Sequence, residues 1–259
     1  MPRRFVGSPL PSFQKSQTRR CNLIFPGFKG KIVSVEPEGK RVIQFSTGDV
    51  LPRLKKIGFA PLPPYIKRKK RNSKFKALDL ERYQTVFAQK EGAIAAPTAG
   101  LHFIPQILEN IKAKSVTIAQ ISLDVGLATF QPVRVKRIED IQMLEETYSI
   151  SPEVSQTINK AKKDSQPVTA VGTTSVRALE SAFRNGKINH GKGSTKLFIY
   201  PGYEYKVVDR LLTNFHLPKS TLLMMVAAFA GLDFIKKAYQ EAIRKRYRFY
   251  SYGDCMLIL

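Results

Sequence analysis

Leu211-Leu212-Thr213-Asn214-Phe215-His216-Leu217-Pro218-Lys219-Ser220 runs straight into the apolar stretch 222–230. Ten residues carry an amide, an imidazole, an ammonium and two hydroxyls to the start of a buried helix. Such a helix needs only one capping side chain. Pro218 stiffens the run that holds these groups. A chain built in this way presents a rigid polar surface to a ligand.

Reading outward, Ser220 caps a helix through Ala230, and Gly231 ends it. Asp233 is expected to cap a second helix reaching about Tyr247, and 248–259 has strand character. Strands are expected at 93–96, 116–123, 168–171 and 197–200. Helices are expected from Pro105, with Ile104, Ile107, Leu108 and Ile111 on one face, from Ser151-Pro152, and over 175–183. The alternation gives a mixed α/β fold, with strands in either orientation.

Three further turns gather polar groups. In Ala95-Ala96-Pro97-Thr98-Ala99-Gly100-Leu101-His102, small residues let a ligand approach the backbone, and Thr98 and His102 add a hydroxyl and an imidazole. The plainer alternative is a Pro-Thr helix start with a packed His. In Val171-Gly172-Thr173-Thr174-Ser175-Val176-Arg177, a Gly turn opens a helix with three hydroxyls, a setting for carboxylate or phosphate; redundant capping is the plainer alternative. The Walker spacing and its Lys are missing. Around Pro201-Gly202, Tyr200, Tyr203 and Tyr205 offer faces for a base or a cation, or are surface tyrosines. Tyr252-Gly253-Asp254 adds a carboxylate after a turn.

The amino-terminal third reads differently. Residues 1–28 hold no acid and are expected to form a disordered basic arm. Residues 31–45 read as a hairpin around Pro37-Glu38-Gly39. A Pro-rich linker and the basic cluster 67–71 follow, giving expected divisions at 1–28, 29–60 and 61–259.

Lys plus Arg number 43 against 20 acids, a formal charge of +23, which favours a polyanionic partner such as nucleic acid. The two cysteines, Cys21 and Cys255, have neither disulfide-framework nor zinc spacing, and fit a reducing, cytoplasmic setting. The run 222–230 is too short to cross a bilayer. No secretory leader is visible at the amino terminus.

Seven collinear strings, LPPYIKR (62–68), ERYQTVFA (81–88), AAPTAGLHF (95–103), VGTTSVRALES (171–181), FIYPGYEYKVVD (198–209), LLTNFHLPKSTLLMMVAAFAG (211–231) and YRFYSYGDCMLI (247–258), carry a resemblance over roughly 30–259. The chain resembles the S-adenosylmethionine:tRNA ribosyltransferase-isomerases of queuosine biosynthesis. The resemblance implies an α/β domain with a bent sheet or partial barrel flanked by helices. It also implies a small inserted β-barrel domain, of which 29–60 would be a remnant. It implies transfer and isomerisation of the ribosyl part of S-adenosylmethionine onto 7-aminomethyl-7-deazaguanine at the tRNA wobble position. Epoxyqueuosine forms, and adenine and methionine leave. S-adenosylmethionine is then a co-substrate, no metal or bound cofactor is required, and the expected state is a monomer.

On that basis His102, His216 and Asp254 are the acid–base candidates, with their individual roles left open. Gly172, Thr173, Thr174 and Ser175 are placed on the methionine carboxylate. Tyr200, Tyr203 and Phe215 would stack on a base, and Lys219 would meet a phosphate. Thr98, Gly100, Arg177 and Asn214 complete the expected substrate contacts.

The chain also departs from the family pattern. Nothing before Lys29 matches the upstream segment of its members. Asp124 replaces a His, Ile141-Gln142-Met143-Leu144 replaces a His-Lys-Met-His run, and Lys196 stands where an acid is usual. Three readings follow: a working transferase, a non-catalytic remnant that still binds tRNA, or a gene fragment without a stable fold.

Overall fold

The computed structural model describes residues 22–36, 41–63, 65–68, 73–89, 93, 95–124, 135 and 137–259. Residues 1–21 of the expected arm, the turn at 37–39 and residues 69–71 of the basic cluster lie outside them. The chain divides into two units, 1–61 and 62–259.

In the first unit β1 (Asn22–Phe25), β2 (Phe28–Val35) and β3 (Arg41–Phe45) form an antiparallel sheet, and α1 (Val50–Ile57) follows. The β2–β3 pairing is the hairpin expected at 31–45. Residues 22–25, read from composition as part of the arm, are instead strand: Asn22 pairs with Lys31 and Phe25 with Phe28. The connecting Pro26-Gly27 places Gly27 at φ +81, the left-handed conformation a type II turn requires. Phe25 stacks on Phe28 at 4.8 Å, and Phe45 leans on both at 5.9 Å. Gly30 makes room beneath them, since a Cβ there would lie 2.9 Å from Ile43 Cγ2 and 3.2 Å from Phe25. Aromatic burial here outweighs the polar bias of the flanking sequence.

The second unit contains α2 (Ser73–Arg82), a 3₁₀ turn (Thr98–His102), α3 (Pro105–Ala113), β4 (Ser122–Asp124), β5 (Glu146–Ile150), α4 (Pro152–Lys163), β6 (Thr169–Val171) and α5 (Thr173–Ala182). It continues through β7 (Phe183–Arg184), β8 (Lys187–Ile188), β9 (Gly191–Thr195), β10 (Arg210–Asn214), α6 (Thr221–Ala230), α7 (Leu232–Arg244) and β11 (Cys255–Ile258). The mixed α/β class is borne out. Among the described residues the strands form small sheets, β11-β10-β6, β4-β5-β9 and β7-β8, with no closed barrel.

Local chemistry explains the helix ends. Pro105 occupies the first turn of α3, and Ser151 Oγ accepts from the Val154 N–H at the start of α4. Ser220 caps α6 in the same way, and Gly231 ends it at φ +86. Gly231, rather than Asp233, also opens α7, because one positive-φ residue serves both helices. Asp233 lies inside the first turn.

Two of the expected strands do not form among the described residues, and a third is shortened. Residues 93, 95 and 96 are not strand, and 95–97 lead into the 3₁₀ turn; the run of small apolar residues that suggested a strand is a buried bend at Ala95. Strand structure at 116–123 is confined to Ser122–Asp124. At 197–200 the ladder bonds are replaced: Leu197 N–H donates to Thr195 Oγ1, and Leu197 O accepts from Arg177 Nε.

The core gathers on α5. Val176 and Ala178 pack with Ile150, Leu211, Met225, Val226 and Ile235, all essentially inaccessible to solvent. Two buried charged groups share the helix. Arg177 pairs with Glu146, and the Glu180 carboxylate accepts from the N–H groups of Lys206, Val207 and Val208. These bonds fix an irregular segment that has no strand partner of its own.

Candidate active site

The parallel pair β6–β10 positions the site. Arg210 lies opposite Thr169 and Leu212 opposite Val171, so both strands end on the same side. The Gly172 turn leaves β6 there, and the Phe215–Ser220 run leaves β10. In open α/β sheets the carboxyl ends of neighbouring parallel strands are where ligands bind. Strand β11 is antiparallel, with Cys255 opposite Asn214, so the residues before it arrive at the same edge.

A cleft forms there. It is lined by Ala95–Ala99, Val171–Ser175, Thr213–Pro218, Ser220 and Leu222, together with Tyr65, Tyr250 and Ser251. Gly172 takes φ +90 and ψ 146, a conformation closed to most side chains, and leads into α5 without a side-chain cap. Ser175 Oγ donates backward to Val171 O, and no acid occupies the first turn. The positive end of α5 therefore faces the cleft uncompensated.

Asn214 ties two turns together. Thr98 Oγ1 donates to its Oδ1 at 3.1 Å, and its Nδ2 meets His102 Nε2 at 3.1 Å and Tyr250 O at 3.3 Å. His102 sits one turn behind the cleft. Burial lowers its pKa, Asp254 opposes the shift and Arg248 adds to it. His216 lines the cleft, with Nε2 2.9 Å from Thr213 Oγ1 and its backbone N–H donating to the Tyr239 hydroxyl at 2.8 Å. Surrounding protein pushes its imidazole down to about 4. Asp254 is held by Arg248 at 2.7 Å, a bond that keeps its carboxyl below the usual range.

Thr98, Gly172, Thr173, Thr174, Ser175, Asn214, Phe215 and His216 thus meet at one cleft. Gly100 is buried behind it, where a Cβ would come 3.0 Å from Thr85 Cγ2. Phe215 also packs on Tyr239, Tyr247 and Phe249. Lys219 is exposed on the turn at φ +57. Arg177 and Tyr203 are engaged elsewhere, by Glu146 and by Glu180. Tyr200 is 45% exposed, leans on Phe198, and does not line the cleft.

The sequence reading missed Tyr65, Tyr250 and Ser251. Tyr65 and Ser251 share a 2.5 Å hydrogen bond, and Tyr65 lies 5.1 Å from the Tyr250 ring. The signal for Tyr250 and Ser251 was the aromatic string 247–252, and that for Tyr65 the string 62–68, but the φ of +72 at Tyr250 that turns it into the cleft leaves no mark in sequence. Among the described residues no cluster of three His, Cys, Asp or Glu side chains is placed to hold a metal ion. No helix among them is long and apolar enough to cross a membrane.

The sequence pattern of the family described as queuosine biosynthesis protein matches residues 10–258, extending upstream of the Lys29 limit drawn from the motifs. The S-adenosylmethionine:tRNA ribosyltransferase-isomerase of Natranaerobius thermophilus is 50% identical over 232 residues, covering 89% of this chain and 66% of its own length. That of Citrifermentans bemidjiense is 46% identical over 262 residues, covering 99% and 75%. A crystal structure of S-adenosylmethionine tRNA ribosyltransferase from Thermotoga maritima is similar, with 34% identity and a TM-score of 0.53, over 92% of this chain and 64% of that one. The chain spans 66% of the length of several of the curated relatives it matches. The chain belongs to the queuosine biosynthesis protein family.

Proposed function

We propose that this protein transfers and isomerises the ribosyl part of S-adenosylmethionine onto 7-aminomethyl-7-deazaguanine in the wobble position of a tRNA. The observation that carries this reading is the convergence at one cleft of residues from three separate family strings, 95–99, 171–175 and 213–220. The open amino end of α5 suits the methionine carboxylate. The faces of Tyr65, Phe215 and Tyr250 suit a sulfonium or an adenine ring. The positive charge of the chain suits tRNA phosphates, with Lys219 on the exposed turn as one contact.

Loss of a proton beside the sulfonium and protonation of the departing adenine need acid–base groups, for which His102, His216 and Asp254 are the candidates. Arg177 and Tyr203 belong to the scaffold in this reading. Asp124, Ile141, Gln142, Leu144 and Lys196 do not line this cleft. We read residues 29–60 as corresponding to the inserted β domain and the cytoplasm as the site of action.

The test is nucleoside analysis by mass spectrometry after incubation with S-adenosylmethionine and precursor-bearing tRNA. Appearance of epoxyqueuosine is expected. Unchanged precursor with a cooperatively folded protein would overturn the reading.

A further inference from the structure

We infer that Asn214 holds His102 as a neutral imidazole with its single proton on Nδ1. Asn214 is 3% exposed, and both ends of its amide are hydrogen-bonded. Nδ2 lies 3.3 Å from the carbonyl oxygen of Tyr250, which can only accept, so this end of the amide is the NH₂ group. Oδ1 accepts from the Thr98 hydroxyl, consistent with the same orientation. The second hydrogen on Nδ2 points to Nε2 of His102 at 3.1 Å. Nε2 must therefore present its lone pair. An imidazolium, or the tautomer protonated on Nε2, would set two N–H groups against each other.

The orienting carbonyl is itself fixed, because Tyr250 is held at φ +72 and its N–H donates to Phe215 O at 3.0 Å. Burial disfavours the charged imidazole, Arg248 acts in the same direction, and Asp254 opposes them. These are the charged groups that act on the ring. The tautomer stands on this geometry alone. Its use rests on the function proposed above: His102 offers Nδ1–H as a hydrogen-bond donor, and accepts a proton only after Asn214 releases Nε2. Asn214 is then a positioning residue.

The chain has three histidines, 102, 190 and 216, so nitrogen NMR of histidine-labelled protein is readily assigned with His190→Gln and His102→Gln. The protein is measured alone at neutral pH, so the outcome is independent of turnover. His102 is expected to show a protonated, pyrrole-type Nδ1 and an unprotonated, pyridine-type Nε2. Asn214→Asp sets a carboxylate against Nε2. It is expected to move the proton to Nε2 and raise the titration midpoint above that of the wild type. A wild-type His102 protonated on Nε2 overturns the inference, as does an unchanged tautomer in Asn214→Asp. Where that variant does not fold, the wild-type spectrum decides by itself.

Discussion

Arg177 Nη1 lies 2.5 Å from Glu146 Oε2, with each side chain 5% exposed. The guanidinium is further held by Leu197 O and Thr195 O, so a helix, two strands and an irregular segment meet on one buried charge pair. Burial lowers the Arg177 pKa, and Glu146 opposes the shift. Glu146→Ala strands the guanidinium in the core, and a loss of about 3–5 kcal/mol is expected from chemical denaturation. A loss within experimental error would show that water reaches the pair.

Two half-buried histidines set an acid limit. The His216 imidazole is lowered from 6.5 to about 4, so the unfolded chain binds the proton more readily than the folded one. This contribution is complete above the unfolded value and is lost as pH falls through that window. It amounts to on the order of 3 kcal/mol. His102 acts in the same direction. Asp79 and Asp254, both lowered, lose their contributions further down, as pH falls through their folded values below 3.8. Urea midpoints measured against pH should therefore fall in two stages, and His216→Gln should flatten the upper one.

Gly172 is expected to resist substitution for conformational reasons. A Cβ there would meet only Ala99 Cβ at 3.6 Å, an ordinary contact, but φ is +90. Gly172→Ala should cost about 1–3 kcal/mol through backbone strain. If the amino end of α5 holds the substrate carboxylate, KM for S-adenosylmethionine should also rise about tenfold, equivalent to ~1.4 kcal/mol.

Gly253 is constrained by space instead. A Cβ would collide with the Phe249 carbonyl carbon and sit 2.5 Å from Arg248 O. Gly253→Ala must open the turn that delivers Tyr250 and Ser251 to the cleft. A destabilisation of about 1–3 kcal/mol is expected, with weaker S-adenosylmethionine binding by calorimetry.

Capped, periodic elements were legible in the sequence: Ser151-Pro152 before α4, Ser220 and Gly231 around α6, and the hairpin of the first unit all announce themselves locally. Segments fixed by distant partners were not. The stretch 197–200 has the composition of a strand, yet Arg177 and Thr195 take its hydrogen bonds. Two of the four polar turns converge because β6 and β10 are parallel neighbours, and a third, at 95–102, is tied in by the hydrogen bonds of Thr98 and His102 to Asn214; no local pattern encodes either relationship. The fourth, at Tyr200 to Tyr205, offered aromatic faces in sequence, but Glu180 claims the Tyr203 hydroxyl and Met225 O that of Tyr205.

Release of adenine from S-adenosylmethionine in a single turnover tests the central claim most directly. With excess protein and tRNA bearing the deazaguanine precursor, adenine is expected to appear stoichiometrically with that tRNA, and not with unmodified tRNA. No release from a protein that melts cooperatively and binds the tRNA would contradict the account and identify a binding protein that has lost its chemistry.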